Sequence, residues 1–435
     1  MSARETALNA LIACRKEAAW SNGILKEYIA RDRLDGRDAA LCARLCYGVL
    51  QNRSFLDFYL KQLLTGKLKD LHPAVRDILH IGLYQLYFMD KIPESAAVNE
   101  SVDMAKKCCK KQRFAPGLVN GVLRNAVRTK GQLKQPTALE DKYSHPKALI
   151  ELLKSYVGKD LLEPMLAANN TVAPMVVQTN TQKVTAARLS EMLEKEGVQV
   201  QPHAWLEDCF VLNGTGDLEK MESFQKGLFY VQDAAANLSV RCAQIPQGAK
   251  VLDCCAAPGG KSFAAALQGA GEITSCDVHA HKIDLIKNGA ARLGLTNIRA
   301  RQQDATAFVP DWEGEMDVVI ADVPCSGYGI IRKKPDIRFK DPQTMKELPD
   351  LQLQILKNQA RYVKPGGTLL YSTCTLVWEE NEGNVKRFLK DNEDFYPETL
   401  ALPAVFPENT TGMLRLVPGQ YDTDGFFIAR LRRKA

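Results

Sequence analysis

Lys250-Val251-Leu252-Asp253-Cys254-Cys255-Ala256-Ala257-Pro258-Gly259-Gly260-Lys261 is the stretch on which the fold turns. Residues 250–254 form a short apolar run of strand length, and the Ala-Pro-Gly-Gly turn stops it before a helical pattern begins. The same alternation then repeats. A strand at 272–276 ends in Asp277, and a helix follows with Ile283, Ile286, Ala290 and Leu293 on one face and a stop at Gly294. Further strands are predicted at 298–301, 317–321 and 368–372, with a helix at 351–362 before the last of them. Strands alternating with helices imply a doubly wound, Rossmann-like α/β sheet, mostly parallel and expected to hold seven strands. The final stretch, 424–431, alternates as a strand able to close the sheet antiparallel.

In such a sheet, ligands sit beyond the carboxyl ends of the strands, at the point where strand order reverses. Three acids fall there: Asp277 ends the second strand, Asp304 lies just past the third, and Asp322 follows the fourth. An acid at the end of the second strand suits ribose hydroxyls, and Gly259 and Gly260 let backbone approach a ligand closely. The turn has neither GxGxxG nor a Walker ending, which disfavours NAD and ATP.

Working outward, residues 141–240 mix helical segments (147–156, 186–196) with strand-like ones (175–179, 198–201, 229–232), a small α+β linking domain expected to touch RNA. Residues 1–140 read as an all-α domain. Leu8, Leu11 and Ile12, then Ile24, Leu25, Tyr28 and Ile29, then Leu118, Val119, Val122 and Leu123 repeat at three- and four-residue spacing. Breaks fall at Leu71-His72-Pro73, Lys91-Ile92-Pro93 and Ala115-Pro116-Gly117. Residues 241–435 make the catalytic domain.

At 435 residues, 46% hydrophobic and 25% charged, the composition is that of a globular protein with a substantial core. The N-terminus has no signal-like apolar region, and no run of about 18 apolar residues suggests a membrane span, so the cytosol is expected. The twelve cysteines are expected to be thiols, and no CxxC or histidine spacing points to a metal. The net charge of +6 is modest, but its distribution is uneven. Lys106, Lys107, Lys110, Lys111, Arg113, Arg124, Arg128, Lys130 and Lys134 fall in a stretch without an acid, which suits a phosphate backbone.

Two cysteines stand apart, in loops after the fourth and fifth strands: Asp322-Val323-Pro324-Cys325-Ser326-Gly327 and Tyr371-Ser372-Thr373-Cys374-Thr375. Together with residues 256–261 these loops resemble motifs IV, VI and I of the RNA 5-methylcytosine methyltransferases, the NOL1/NOP2/Sun family, over roughly residues 229–431. The N-terminal helices resemble the RNA-binding NusB domain. The resemblance implies S-adenosylmethionine as cofactor, held by Cys254, Cys255, Ala256, Ala257, Pro258, Gly259 and Gly260, with Asp277 on the ribose, Asp304 by the adenine and Asp322 nearby. It implies Cys374 as nucleophile, Cys325 as the group that assists C5-proton removal and enzyme release, Asp322 on the base's polar edge, and Lys261 near the substrate. It further implies 16S rRNA as partner, with cytosine 967 unstacked into the pocket, and RNA phosphate against Arg332, Lys333 and Lys334. The same chemistry on another rRNA or tRNA cytosine, or an RNA-binding assembly factor with an idle catalytic domain, are the alternatives. DNA is disfavoured, because DNA cytosine methyltransferases place their nucleophile in the fourth-strand loop. Two departures from the family pattern stand out: Gln178 where an arginine is usual, and no proline before Glu379-Glu380-Asn381.

Overall fold

The computed structural model describes residues 1–17, 21–340 and 342–435, and the chain folds as two compact units. One comprises Met1–Ser155, Leu166–Thr171 and Ile331–Lys340. Its helices include Ala3–Glu17, Gly36–Gln51, Arg53–Leu63, Pro73–Phe88, Glu94–Cys108 and Ala115–Arg128. The three breaks read from the sequence are helix starts. Pro73 and Pro116 occupy first-turn positions and Pro93 caps Glu94–Cys108, where a missing N–H costs nothing because first-turn donors have no helical acceptor. Leu8, Leu45, Ile78, Leu79 and Leu123 meet in one core.

The basic stretch is less bare than the sequence suggests. Acids from other turns and helices reach into it: Glu5 pairs with Lys107 at 2.6 Å, Glu94 with Lys130 at 2.9 Å and Asp103 with Lys106 at 2.8 Å. Lys110, Lys111 and Arg113 are exposed, with no carboxylate partner among the described residues.

The second unit comprises Tyr156–Met165, Val172–Ile330 and Asp341–Ala435. It carries two sheets. The first has strands β1 (Met175–Thr179), β2 (Gln199–Pro202), β3 (Cys209–Asn213) and β4 (Phe229–Val231), antiparallel in the order β2-β3-β1-β4. Gln178 explains itself there. It is buried in β1, donating to the Gln232 carbonyl at 3.2 Å and to Cys209 Sγ, so the position braces the sheet from within.

The second sheet contains β5 (Lys250–Asp253), β6 (Glu272–Asp277), β7 (Ile298–Gln302), β8 (Met316–Asp322), β9 (Val363–Thr373), β10 (Phe395–Pro397), β11 (Met413–Leu416) and β12 (Phe426–Arg433). Seven run in the order β10-β12-β9-β8-β5-β6-β7, and β11 adds an eighth by pairing with β12. β5 to β9 are parallel, and β12 pairs antiparallel with β9 as its alternation predicts. Both faces of the sheet are covered. Val318 and Ile320 of β8 pack with Leu238 and Phe263 on one side, while Val319 and Ala321 pack with Leu356 and Tyr362 on the other; this is why β8 reads as a continuous apolar run. From β5 the chain moves outward through β6 and β7, then returns to lay β8 on the opposite flank of β5. The reversal falls between β5 and β8, and the crevice rule places a ligand at their carboxyl ends.

Candidate active site

β8 and β9 are neighbours in register, Asp322 opposite Ser372, so the loops leaving them emerge side by side. Cys325 lies three residues past the end of β8, and Cys374 directly follows β9. Their sulfurs stand 3.3 Å apart, close enough for one thiol to donate to the other. That hydrogen bond, followed by burial, pushes the Cys325 thiol well above the usual range, with the Cys374, Glu380 and Asp322 charges adding to it. Hydrogen bonding and burial thus favour the protonated form of Cys325.

Asp322 is held from both sides. Lys261 Nζ lies 2.6 Å from Oδ2, and the Ser372 hydroxyl donates to Oδ1 at 2.7 Å. Lys261, expected near the substrate, is the buried counter-ion of this carboxylate and also lies over the Phe426 ring.

The turn at β5 is tightly built. Gly259 adopts φ +113°, where a side chain would be strained, and an added Cβ would fall 2.4 Å from the Phe263 ring. At Gly260 the added atom would sit 3.1 Å from Gln232 Nε2. Gly259 caps the helix Gly260–Leu267 without a side-chain bond, leaving first-turn N–H groups for a ligand. Cys254 and Cys255 place their sulfurs 3.8 Å apart, and the Ala256 amide donates to the Cys276 carbonyl, stitching the turn to β6. Asp277, at the end of β6, is largely buried, accepts from the His279 amide and lies 3.7 Å from Lys282. Asp304 is exposed and caps its own loop through the Thr306 amide and hydroxyl.

Asp253 is the residue that motif reasoning passed over. It ends β5 fully buried, accepts from Ser262 at 2.7 Å through Oδ2, and leaves Oδ1 without a partner among the described residues. Its place at the end of β5, three residues before the Ala256–Gly260 turn, was the available signal. A buried carboxyl with an open lone pair, a bare helix N-terminus and the Asp277 carboxylate make a donor and acceptor set fitted to a cationic amino acid joined to a ribose.

Comparison with known proteins agrees with this geometry. A family model described as 16S rRNA methyltransferase RsmB/F matches residues 243–432, the NusB family matches 1–128, and an RsmF/B-like ferredoxin-like domain matches 145–219. Ribosomal RNA small subunit methyltransferase B of Vibrio cholerae is 34% identical across 93% of this chain and 92% of its own. The chain belongs to the ribosomal RNA small subunit methyltransferase B family. A Bacillus subtilis relative, "Probable ribosomal RNA small subunit methyltransferase B", is 36% identical over the whole chain and 99% of its own length. Among solved structures, the methyltransferase is similar to PH0851, with 25% identity, a TM-score of 0.80, and coverage of 100% of this chain and 99% of that one. It also resembles a methyltransferase homologue from Pyrococcus horikoshii at 26% identity and a TM-score of 0.57, over 68% of this chain and 97% of that one.

The methyltransferase thus methylates ribosomal RNA with S-adenosylmethionine as donor, on a NusB-like helical domain, a ferredoxin-like domain and a mostly parallel catalytic sheet. No described helix is long and apolar enough to cross a membrane. Arg332, Lys333 and Lys334 are half-buried in the helical unit, where the Arg332 carbonyl accepts from Gln51 Nε2 at 3.3 Å.

Proposed function

We propose that the chain methylates C5 of a cytosine in 16S rRNA, cytosine 967 by the family resemblance, through a covalent bond from Cys374 to C6. The observation that carries this reading is the pair of sulfurs 3.3 Å apart at adjoining strand ends, beside the Lys261–Asp322 ion pair. C5 of cytosine is a poor nucleophile. Addition of the Cys374 thiolate to C6 breaks the ring's aromaticity and moves the π electrons to C5. Bound S-adenosylmethionine supplies a methyl group activated by its sulfonium, with Asp277 on the ribose, residues 254–260 and Asp253 around the methionine end, and Asp304 near the adenine. Asp322 faces the base's polar edge, and Lys261 offsets the electron density that flows toward N3 and O2 after addition. Cys325, its own proton released to solvent, takes the C5 proton. The C5=C6 bond reforms, the C6–S bond breaks, and Cys374 leaves as thiolate. A sulfur that holds its proton tightly is the stronger base once ionised. The base must leave its stack to reach these groups, at about a few kcal/mol. The cytosol is where such a substrate is met.

Cys374→Ala should abolish methyl transfer with cofactor binding intact. Cys325→Ala should accumulate an RNA adduct that survives a denaturing gel. Full turnover in the first variant overturns the nucleophile assignment. Mapping 5-methylcytosine in rRNA with and without the protein tests the address; unchanged 16S rRNA would move it to another RNA.

A further inference from the structure

Beneath the two cysteines lies a carboxylate that this scheme does not use. Glu380 is 2% exposed, and no cation pairs with it among the described residues, an unfavourable situation unless its oxygens are otherwise satisfied. Its Oε2 accepts from the Ser326 backbone N–H at 2.9 Å and from Gln352 Nε2 at 2.8 Å. Ser326 directly follows Cys325. The same Gln352 amide donates to the carbonyl of Pro324 at 2.9 Å, on the other side of Cys325, and Asn384 fixes Gln352 through its Oε1. Cys325 is thus gripped through the backbone on both flanks.

The next residue does the same for the other cysteine. Asn381 is fully buried; it accepts from the Thr373 hydroxyl at 2.6 Å and donates to the Thr375 carbonyl at 3.0 Å, one residue on either side of Cys374. The two grips are joined. Ser326 and Thr375 share a hydroxyl–hydroxyl bond of 2.6 Å, and the Tyr371 hydroxyl donates to the Glu380 carbonyl at 2.5 Å.

We propose that the dipeptide Glu380-Asn381 is a positioning bracket for the reaction: Glu380 holds Cys325 in place for proton removal from C5, and Asn381 holds Cys374 in place for attack on C6. The inference rests on the covalent route proposed above. It assigns the two neighbours different steps, which a merely structural role would not do.

The test uses the full-length protein, unmethylated 16S rRNA and radiolabelled S-adenosylmethionine, reading turnover, cofactor binding and the adduct that survives a denaturing gel. Glu380→Ala should lower turnover roughly 100-fold, the scale of an ångström-sized misplacement, while the adduct band accumulates as in Cys325→Ala. Asn381→Ala should lose turnover without accumulating the band. Glu380→Gln keeps the side chain's shape and one acceptor oxygen, and should recover about tenfold of the turnover lost by the alanine variant. Cofactor binding should persist in all three. Near-wild-type turnover in Glu380→Ala overturns the proposal, as does lost turnover without a band in both Glu380 variants while the cofactor still binds. A missing band in Cys325→Ala itself would instead sink the covalent route, and the bracket with it.

Discussion

Two carboxyls near the cofactor crevice end neighbouring strands and have different partners. Asp322 has Lys261 at 2.6 Å. Among the described residues Asp253 has only the Ser262 hydroxyl, and burial lifts its carboxyl to about 7. In an unfolded chain the group would titrate near 3.9. The folded state therefore binds this proton more tightly, and the stability that the neutral form contributes is full below about pH 4 and lost as pH rises through about 7. Asp253→Asn removes the titration while keeping an acceptor for Ser262. Relative to the parent, this variant should gain stability between pH 5 and pH 8, by about 3 kcal/mol, since about two of the three pKa units fall in that window. Melting curves at the two pH values check it; an unchanged gap would mean the carboxyl is already ionised in the fold. The sequence exposes Cys325, Cys374, Asp322 and Asp277 because each sits in a motif or at a strand end. Asp253 looks like one more strand residue, since nothing local says that its partner is a serine hydroxyl in the following helix rather than a cation.

At the scale of elements, the long βαβ pattern was legible and the strands β3, β10 and β11 were not. The helix Ala280–Leu293 ends where Gly294 takes φ +76°, and its predicted apolar face is buried throughout. By contrast β3, β10 and β11, three to five residues long, are strands because of what they pair with. β10 even contains Pro397, tolerable on an edge strand. β12 does more than close the sheet. The Gly425 amide, just before it, donates to the Gly329 carbonyl at 2.8 Å, and the Gly329 amide donates to the Cys374 carbonyl at 3.0 Å. A Cβ on Gly329 would fall 2.2 Å from the Gly425 oxygen and 2.8 Å from that of Cys374. All of these are backbone atoms without a rotamer to give way. Gly329→Ala should therefore push the Cys374 loop aside, costing about 1–3 kcal/mol of stability and on the order of 100-fold in methyl transfer. Paired melting and turnover measurements check this, and turnover at the parent rate would show that the loop absorbs the methyl group.

For the whole molecule, the helical unit is assembled from three separate pieces of chain. Arg338, from the piece Ile331–Lys340, is buried there without a carboxylate partner among the described residues. Nη1 donates to the carbonyls of Gln51 at 2.8 Å and Ser144 at 3.2 Å and to Asn170 Oδ1 at 2.9 Å, while Nη2 reaches the Asn169 carbonyl at 3.3 Å. Burial lowers its guanidinium to about 9. Arg338→Met fills the space but leaves those oxygens unsatisfied, and should destabilise the unit by roughly 2–4 kcal/mol. A melting temperature within a degree of the parent would refute it. The amino-acid sequence by itself determined the alternation of strands and helices that makes a parallel sheet, the helical N-terminal domain and the two cysteine loops, because periodicity and motif spacing are local properties of the chain. Only the tertiary structure decided which acids neutralise the basic stretch, that residues 331–340 join the helical unit, and that Glu380 and Asn381 hold the cysteines. Those choices depend on side chains far apart in sequence, whose burial and hydrogen-bond partners exist only once the chain has folded.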